Sequence, residues 1–150
     1  MSIEYKKLTE KELDIFIEIR INQLCEEGAK EDTDLRPALC DYYKRHISDG
    51  TFISWIAMDR DKIVGTSGIS FVEKPPYFGC PSGKLGLISG MYTSKEYRRQ
   101  GIAKKLLSKV VNEAKEYGCN VVQVTASDMG VFLYKDFGFE KNHNFMQYRI

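Results

Sequence analysis

The sequence predicts an α/β fold with a mixed, mostly antiparallel sheet, and three observations support this prediction. Strand-like and helical segments follow one another in the order strand, two helices, three strands, helix, strand, helix, strand. A charged turn over residues 59–61 joins two of the strands, which therefore form an antiparallel hairpin. A long amphipathic helix over 102–117 connects two further strands, and such a connection requires that these two strands run parallel.

The N-terminal third of the chain is predicted to form one strand and two helices. Residues 2–8 alternate between apolar and polar side chains, which is typical of a strand. Thr9 and Glu12 form a capping box that starts the first helix, and Gly28 ends it. Pro37 suits the first turn of a second helix, which ends at Gly50.

The remaining residues are predicted to build the sheet around the long helix. Strands are expected over 51–58, 62–72 and 85–93, and a loop rich in proline and glycine separates the last two. Gly118 ends the long helix, and a strand over 120–125 follows it. A short helix over 129–137 and one or two strands within 139–150 complete the predicted order.

The composition excludes several classes of function. Hydrophobic residues make up 43% and charged residues 29%, which predicts one ordinary globular domain over residues 1–150. The net charge of +1 gives no general attraction to nucleic acid. No apolar run reaches membrane-spanning length and no signal-peptide pattern occurs, so no membrane contact is expected. Four scattered cysteines and two histidines predict reduced thiols in the cytoplasm and no metal site.

The basic turn that opens the long helix is the most informative stretch. Gly101 and Ala103 are small, so a ligand can approach the backbone closely. The first N–H groups of a helix have no partner within the helix, and the helix dipole adds partial positive charge there. Four cationic residues surround this point: Arg98, Arg99, Lys104 and Lys105. The pattern suits a phosphate or pyrophosphate group, and a solvated basic surface is the alternative interpretation.

The loop over 73–84 contains a pattern that superficially matches a nucleotide-binding P-loop. Gly79 and Gly83 are one residue too close together, and Leu85 replaces the hydroxyl residue that would hold magnesium. A strand follows the pattern where a P-loop requires a helix, so we reject this interpretation. Tyr77 and Phe78 in the same loop are candidates for the wall of a pocket, with packing in the core as the alternative.

Two motifs resemble the marks of a known superfamily. The stretch from Arg98 to Ala103 resembles the Arg/Gln-x-x-Gly-x-Gly/Ala signature of the GNAT superfamily of acyl-CoA-dependent N-acyltransferases. The stretch from Tyr134 to Phe139 resembles its second mark, a tyrosine followed by Gly-Phe four and five residues later. This resemblance implies a GNAT-like sheet with a central splayed parallel pair, flanked by about four helices.

The resemblance also implies roles for individual residues. The backbone around the helix start would hold the pyrophosphate of coenzyme A, next to Arg98, and the strand before it would pair with the pantetheine arm. Ser127 stands where many members of the superfamily carry an asparagine that contacts the cofactor. Tyr134 matches the residue that protonates the leaving thiolate. The backbone contacts fall on Arg99, Gln100, Gly101, Ile102, Ala103 and Lys104, and the pantetheine contacts on Met91, Tyr92 and Thr93.

The implied activity is the transfer of an acetyl group from acetyl-CoA to a primary amine, by direct attack on the thioester. The acceptor would be a small molecule or a peptide, and a homodimer is possible because dimers are common in the superfamily. Two rival functions remain open: a regulatory domain that binds acyl-CoA without turnover, and a transferase of a longer acyl group. Acetyl-CoA is the expected cosubstrate, and no metal is implied.

Neither the general base nor the acceptor is identified by the sequence. Glu73 and Asp128 are candidates for the base by their predicted positions, and a chain of water molecules is a third possibility. Acidic residues cluster in and beside the connector between the first two helices, and this cluster predicts a cationic acceptor or a solvated loop without a role. Its members are Glu26, Glu27, Glu31, Asp32 and Asp34.

Overall fold

The structure is a computed structural model that describes residues 2–142 and 144–150. It contains four α-helices within these ranges: α1 (Leu13–Glu26), α2 (Arg36–Asp49), α3 (Ile102–Tyr117) and α4 (Val131–Phe137). The strands are β1 (Glu4–Lys7), β2 (Phe52–Ile53), β3 (Trp55–Asp59), β4 (Lys62–Thr66), β5 (Ile69–Glu73), β6 (Lys84–Ile88), β7 (Tyr92–Thr93) and β8 (Val121–Val124). None of these helices combines the length and apolar composition that crossing a membrane requires.

The three long strands predicted in the middle of the chain are each broken into two. The breaks fall at residue 54, at residues 67–68 and at residues 89–91. As a result the strands form two four-stranded sheets, in the orders β1-β3-β4-β7 and β2-β5-β6-β8. Every neighbouring pair is antiparallel except β6 and β8, which are parallel. The prediction of a mixed, mostly antiparallel sheet is therefore confirmed.

Side-chain hydroxyls hold two of these breaks in place. Ser67 is fully buried, and its Oγ accepts a hydrogen bond from the Trp55 N–H at 3.1 Å and donates one to the Trp55 carbonyl at 2.7 Å. The Thr66 hydroxyl donates to the Gly90 carbonyl at 2.7 Å. These hydrogen bonds pair main-chain N–H and C=O groups that would bond to a neighbouring strand if the strands were continuous.

Gly68 allows the broken strands to pack closely. A Cβ atom at this position would lie 2.8 Å from the Phe52 ring and 3.0 Å from the Ser89 carbonyl oxygen. Both distances are shorter than van der Waals contact, so any side chain would push the three breaks apart. Only glycine at position 68 therefore permits this close approach to Phe52 and Ser89.

The parallel pair splays apart beyond the breaks. β6 and β8 are in register from Leu85 opposite Val121 to Ile88 opposite Val124. After the break at 89–91 the chain continues as β7, which pairs with β4 in the other sheet. Among the described residues, strand β8 consequently has no partner on that side beyond Val124, and a gap opens between β7 and the segment that follows β8. This confirms the expected splayed parallel pair.

Helix α3 packs against strands of both sheets. Its apolar face is fully buried, and Leu106, Leu107 and Val110 lie at its centre. The predicted boundaries of this helix are confirmed because the αL glycines Gly101 and Gly118 flank it. The capping box of Thr9 and Glu12 is also present, although it starts a short 3₁₀ turn that leads into α1.

The prediction of one or two strands within 139–150 is wrong for the described residues. No strand occurs in 139–142 or 144–150, and His143 lies outside the described residues. Alternation of apolar and polar side chains describes a possible strand face, but a strand also needs a neighbouring backbone. Within the described part of the chain this segment has none, and four large apolar side chains are exposed there: Phe145, Met146, Tyr148 and Ile150.

The bonds made by Ser67 predict a clear difference between two buried serines. Ser67→Ala should lower the free energy of unfolding by about 1–3 kcal/mol, because it leaves buried main-chain groups of Trp55 unpaired. Ser54 is equally inaccessible, but its hydroxyl has no partner among the described residues. Ser54→Ala should therefore leave stability unchanged or raise it. Urea unfolding of both variants provides the measurement, and equal losses would contradict the role assigned to Ser67.

Candidate functional site

The start of α3 is open to an anion. Gly101 caps the helix with φ 82°, and no side chain of the described residues caps its N–H groups. A Cβ atom built at Gly101 would meet nothing within 4 Å, so the space in front of these N–H groups is free. Arg99 is one of two non-glycine residues described with positive φ, at 63°, which tightens the turn before the helix. These features fit the phosphate groups of coenzyme A.

The side chains of the basic turn do not all face this space. Arg98 donates from Nε to the Thr93 carbonyl at 2.9 Å, and its guanidinium lies 5.7 Å from the centre of the Tyr92 ring. Arg98 thus ties the turn to β7. Lys104 Nζ lies 3.5 Å from Asp136 of α4, and both side chains are exposed. The Ile102 side chain is buried in the core, so only its backbone can face a ligand.

Strand β7 borders the gap with its main chain. It is the last strand of its sheet and pairs with β4 along one edge only, Gly65 opposite Thr93 and Thr66 opposite Tyr92. The other edge is available to an extended ligand such as a pantetheine arm. Met91, which precedes β7, is already partly engaged, because its carbonyl accepts a hydrogen bond at 3.0 Å from Gln23 Nε2 of α1.

Tyr134 of α4 is buried in the hydrophobic cluster that includes Ile88 and against which Met91 and Val124 pack. Its side chain is 6% exposed, and its ring packs edge-on against Phe139, with 5.5 Å between the ring centres. Burial, and secondarily the negative charge of Glu27, raise the pKa of Tyr134 to about 12. The phenol therefore carries its proton throughout the neutral pH range and can donate it or a hydrogen bond.

Ser127 lies between β8 and α4, close to Tyr134. Its Oγ accepts a hydrogen bond from the Gly130 N–H at 3.1 Å, and its carbonyl accepts one from the Val131 N–H at 3.0 Å. A Cβ atom at Gly130 would touch both the Ser127 Oγ and the Tyr134 ring, at 3.1 and 3.3 Å. Ser127 thus stabilises the start of α4, and its exposed hydroxyl still has a proton to donate.

The two candidate bases occupy different ends of the sheet. Glu73 is opposite Lys84 at the far end of β5, four residues from Ile69, which is opposite Ile88. At about 3.3 Å per residue this places Glu73 about 13 Å from the splayed end, which disfavours it as the base. Asp128 is exposed in the loop between the gap and α4. It therefore stays a candidate.

The acidic connector is partly neutralised by one arginine. Arg36 binds Glu18 through two hydrogen bonds of 2.6 and 3.0 Å, and its Nη1 lies 3.0 Å from Asp34 and 3.8 Å from Glu31. Hydrogen bonds from Arg36 hold the pKa of Glu18 and of Asp34 below their usual values. The attraction of this cluster for a cationic acceptor therefore depends mainly on its other members and stays a prediction.

A cavity of about 250 Å³ opens between the last turns of α1 and the connector. Its wall includes Leu24, Cys25, Glu31, Asp32 and Leu35. The described residues contain no group of three or more histidine, cysteine, aspartate or glutamate side chains that could hold a metal ion.

Sequence reasoning missed Gln23 as a site residue. This side chain is 6% exposed and bridges the Met91 carbonyl and the Glu27 carboxylate, at 3.0 and 3.3 Å. The available signal was its position: Gln23 is buried on the same helix as Phe16, Ile17 and Ile21. A buried polar side chain on an apolar helix face needs a hydrogen-bond partner inside the protein. For Gln23 this partner is the Met91 carbonyl, which marks where α1 meets the gap.

The splayed parallel pair, the open start of α3 and the order of the strands define an acetyltransferase fold. A family model described as the acetyltransferase (GNAT) family matches residues 16–139, so the chain belongs to this family. The resemblance found in the sequence is thereby confirmed.

Individual relatives agree with this assignment. N-acetyltransferase 8B of Rattus norvegicus is 33% identical over 111 residues, which are 71% of this chain and 48% of that protein. The chain thus spans about half the length of the curated relatives of this kind. An aminoglycoside N(6')-acetyltransferase of Serratia marcescens is 32% identical over 77 residues, or 47% of this chain and 51% of that protein.

A solved structure resembles the chain along almost its whole length. It is a protein of Clostridium acetobutylicum described as a predicted acetyltransferase and solved with acetyl-CoA. It superposes with a TM-score of 0.94 at 30% identity, covering 99% of this chain and 96% of that one.

Proposed function

We propose that the protein is an N-acetyltransferase that transfers the acetyl group of acetyl-CoA to a primary amine. The observation that carries this proposal is the open, uncapped start of α3 next to the gap between β7 and β8, with the phenol of Tyr134 at the gap. Membership of the acetyltransferase (GNAT) family supports it, as does the acetyl-CoA in the similar Clostridium protein.

In this proposal the cofactor lies along the main chain from α3 to the gap. The N–H groups from Arg99 to Lys104 bind the pyrophosphate, and the free edge of β7 with Met91 pairs with the pantetheine arm. Arg98 supports this edge through its bond to Thr93, and Ser127 can donate its hydroxyl proton to the cofactor. The thioester then reaches the gap near Tyr134.

The chemistry requires no covalent enzyme intermediate. The amine attacks the thioester carbonyl directly, and a thiolate leaves as the tetrahedral species collapses. The Tyr134 hydroxyl acts as the general acid that protonates the departing sulfur. Its raised pKa suits this role, because the phenol keeps its proton until the sulfur develops charge.

The proposed acceptor is a small-molecule or peptide amine that enters from the side of α1. The cavity between α1 and the connector lies on that side and carries acidic residues in its wall. The Serratia relative is named for an aminoglycoside, which supports a polyamine-like or amino-sugar acceptor among small molecules. All four cysteines are free thiols, which supports the cytoplasm as the location.

We further propose a homodimer that forms through the C-terminal segment 144–150. In the described part of the chain, strand β8 ends its sheet with an unpaired edge, and exposed strand edges can pair with another chain. In the segment, Met146, Tyr148 and Ile150 alternate with Gln147 and Arg149, so an extended conformation would put the apolar residues on one face. In a two-fold symmetric dimer, the C-terminal segment of each copy can pair as a strand with the β8 edge of the other copy.

The binding of acetyl-CoA at α3 can be tested with two αL glycines of the same helix. Gly101→Val should weaken acetyl-CoA binding at least tenfold, or about 1.4 kcal/mol, because its side chain would fill the free space before the N–H groups. Gly118→Val imposes similar backbone strain at the opposite end, where nothing lies closer than 3.7 Å. Calorimetric titration should show a loss for Gly101→Val only. Unchanged affinity in a folded Gly101→Val protein would overturn the proposed cofactor site.

The role of Tyr134 predicts a selective loss of turnover. Tyr134→Phe keeps the ring and its packing but removes the hydroxyl, so kcat should fall on the order of a hundredfold. The affinity for acetyl-CoA should change little, because the proposed phosphate and pantetheine contacts are made elsewhere. Steady-state kinetics at saturating acetyl-CoA, with a melting curve, provide the measurement. Wild-type kcat in the folded variant would remove Tyr134 from the mechanism if the chemical step limits the rate.

The proposed dimer predicts a change of mass when the C-terminal segment is removed. Sedimentation equilibrium of the full chain should give twice the monomer mass, and a chain that ends at residue 140 should give the monomer mass. Helix α4 and Phe139 remain in the shortened chain, so the packing around Tyr134 is retained. A full chain that sediments as a monomer, or a shortened chain that stays dimeric, would contradict the proposed interface.

A further inference from the structure

The end of α1 carries a polar arrangement that the cofactor site does not use. Gln23 is buried, and its Nε2 donates to the Met91 carbonyl at 3.0 Å and to Glu27 Oε1 at 3.3 Å. Its Oε1 accepts a hydrogen bond from Arg20 Nη1 at 3.2 Å. Arg20 cannot accept a hydrogen bond, so the amide has one orientation, with its nitrogen facing the gap. The Glu27 carboxylate is thereby held next to the main chain that borders the thioester position.

The surroundings of Tyr134 provide independent support for this placement. Tyr134 of α4 belongs to the hydrophobic cluster against which Met91 packs, and the negative charge of Glu27 is the secondary cause of the raised pKa of its phenol. Glu27 is exposed, as a group that meets an incoming acceptor must be. Glu27, through Gln23, and Tyr134, through the shared cluster, thus both lie close to the main chain at Met91.

We propose that Glu27 binds the acceptor amine in its ammonium form and is the general base that removes its proton. Gln23 is then a positioning residue that fixes the carboxylate relative to the Met91 main chain. This inference rests on the proposed acetyltransferase function and specifies the acceptor as a cationic primary amine. It replaces the two bases considered from the sequence, Glu73 and Asp128.

The groups around Glu27 are consistent with this role. From α1, Gln23 donates to the carboxylate, and Arg20 contacts the far side of the Gln23 amide. From α4, the Tyr134 phenol is uncharged at neutral pH, because its pKa is about 12. The neighbouring connector adds Lys30, Glu31 and Asp32 around the cavity. An ammonium group would therefore meet one oriented carboxylate at the gap itself.

The reaction balances without any further reactant. Glu27 takes one proton from the ammonium group, and the free amine attacks the thioester carbon to form the C–N bond. The C–S bond breaks, and the sulfur receives the proton of the Tyr134 hydroxyl. The nitrogen loses its second proton to solvent as the amide forms, the tyrosinate regains a proton from solvent, and the Glu27 carboxyl releases its proton to solvent. The net products are the amide, the thiol of coenzyme A and one released proton.

Two nucleophiles of different charge can test the proton transfer. Ethylamine is protonated at neutral pH and needs a base, whereas hydroxylamine is already unprotonated there. Thiol release from acetyl-CoA is measured with each nucleophile for the wild-type chain and for Glu27→Gln. We expect Glu27→Gln to lower kcat/KM for ethylamine on the order of a hundredfold at neutral pH and to leave hydroxylamine almost unaffected. The ethylamine loss should shrink as the pH rises, because solvent then supplies the free amine.

Three further variants distinguish a base at Glu27 from a long-range charge effect, from a base at Asp128 and from a general structural defect. Glu26→Gln removes the same charge from the neighbouring position, so a purely long-range electrostatic effect would be equal in both variants. Asp128→Asn tests the other candidate base. Gln23→Met should reproduce part of the ethylamine loss without a loss for hydroxylamine, whereas a general structural defect would lower both rates. Melting temperatures establish that each variant is folded.

The outcomes distinguish the inference from the function on which it rests. If the wild-type chain transfers acetyl groups to neither nucleophile, the proposed function is overturned and the inference with it. If the wild-type chain is active and Glu27→Gln loses both rates equally, or no more than Glu26→Gln, Glu27 is not the base. An ethylamine-specific loss in Asp128→Asn alone would also overturn the inference.

Discussion

The line of breaks across the three central strands is the constraint on which the site depends. Ser67 and Thr66 bond main-chain groups across these breaks, to Trp55 and to Gly90. A continuous sheet would pair the same groups in a ladder and leave no gap. Because the breaks direct β7 to the other sheet, β8 loses its neighbour and the space for a thioester opens. Buried hydroxyls therefore determine where a ligand can enter the sheet.

The two walls of the gap carry opposite charge, which suits the two proposed substrates. In the proposed complex, the start of α3 offers uncapped N–H groups and the positive end of the helix dipole to the anionic cofactor. The end of α1 offers the carboxylate of Glu27, held by Gln23, to a cationic acceptor. Tyr134 lies between the two, and its burial favours the uncharged phenol, so neither wall is neutralised by it. In the proposed mechanism this separation of charge orients both substrates before any bond forms.

Structural features that depend on neighbouring residues were predicted well from the sequence. Features that depend on contacts between distant residues were not. The capping box of Thr9 and Glu12, the hairpin at 59–61 and the glycines that flank α3 follow from neighbouring residues. The strand breaks depend on Ser67 meeting Trp55, twelve residues away, so periodicity alone could not reveal them. The expected C-terminal strands failed for a related reason, since alternation in 144–150 identifies a face but not a partner.

The same distinction between local and distant contacts explains why the sequence predicts the proposed cofactor site but not the proposed acceptor site. In the proposed complex the main chain binds phosphate and pantetheine. This requires small residues and a positive φ, as at Gly101, and these requirements leave a short contiguous motif. The proposed acceptor site consists of side chains on α1 and its connector, where many residue types serve equally well. In the sequence, Glu27 is one of the five acidic residues of the cluster. Only the hydrogen bond that it accepts from Gln23 distinguishes it from the others. The acceptor must therefore be inferred from contacts rather than from a motif.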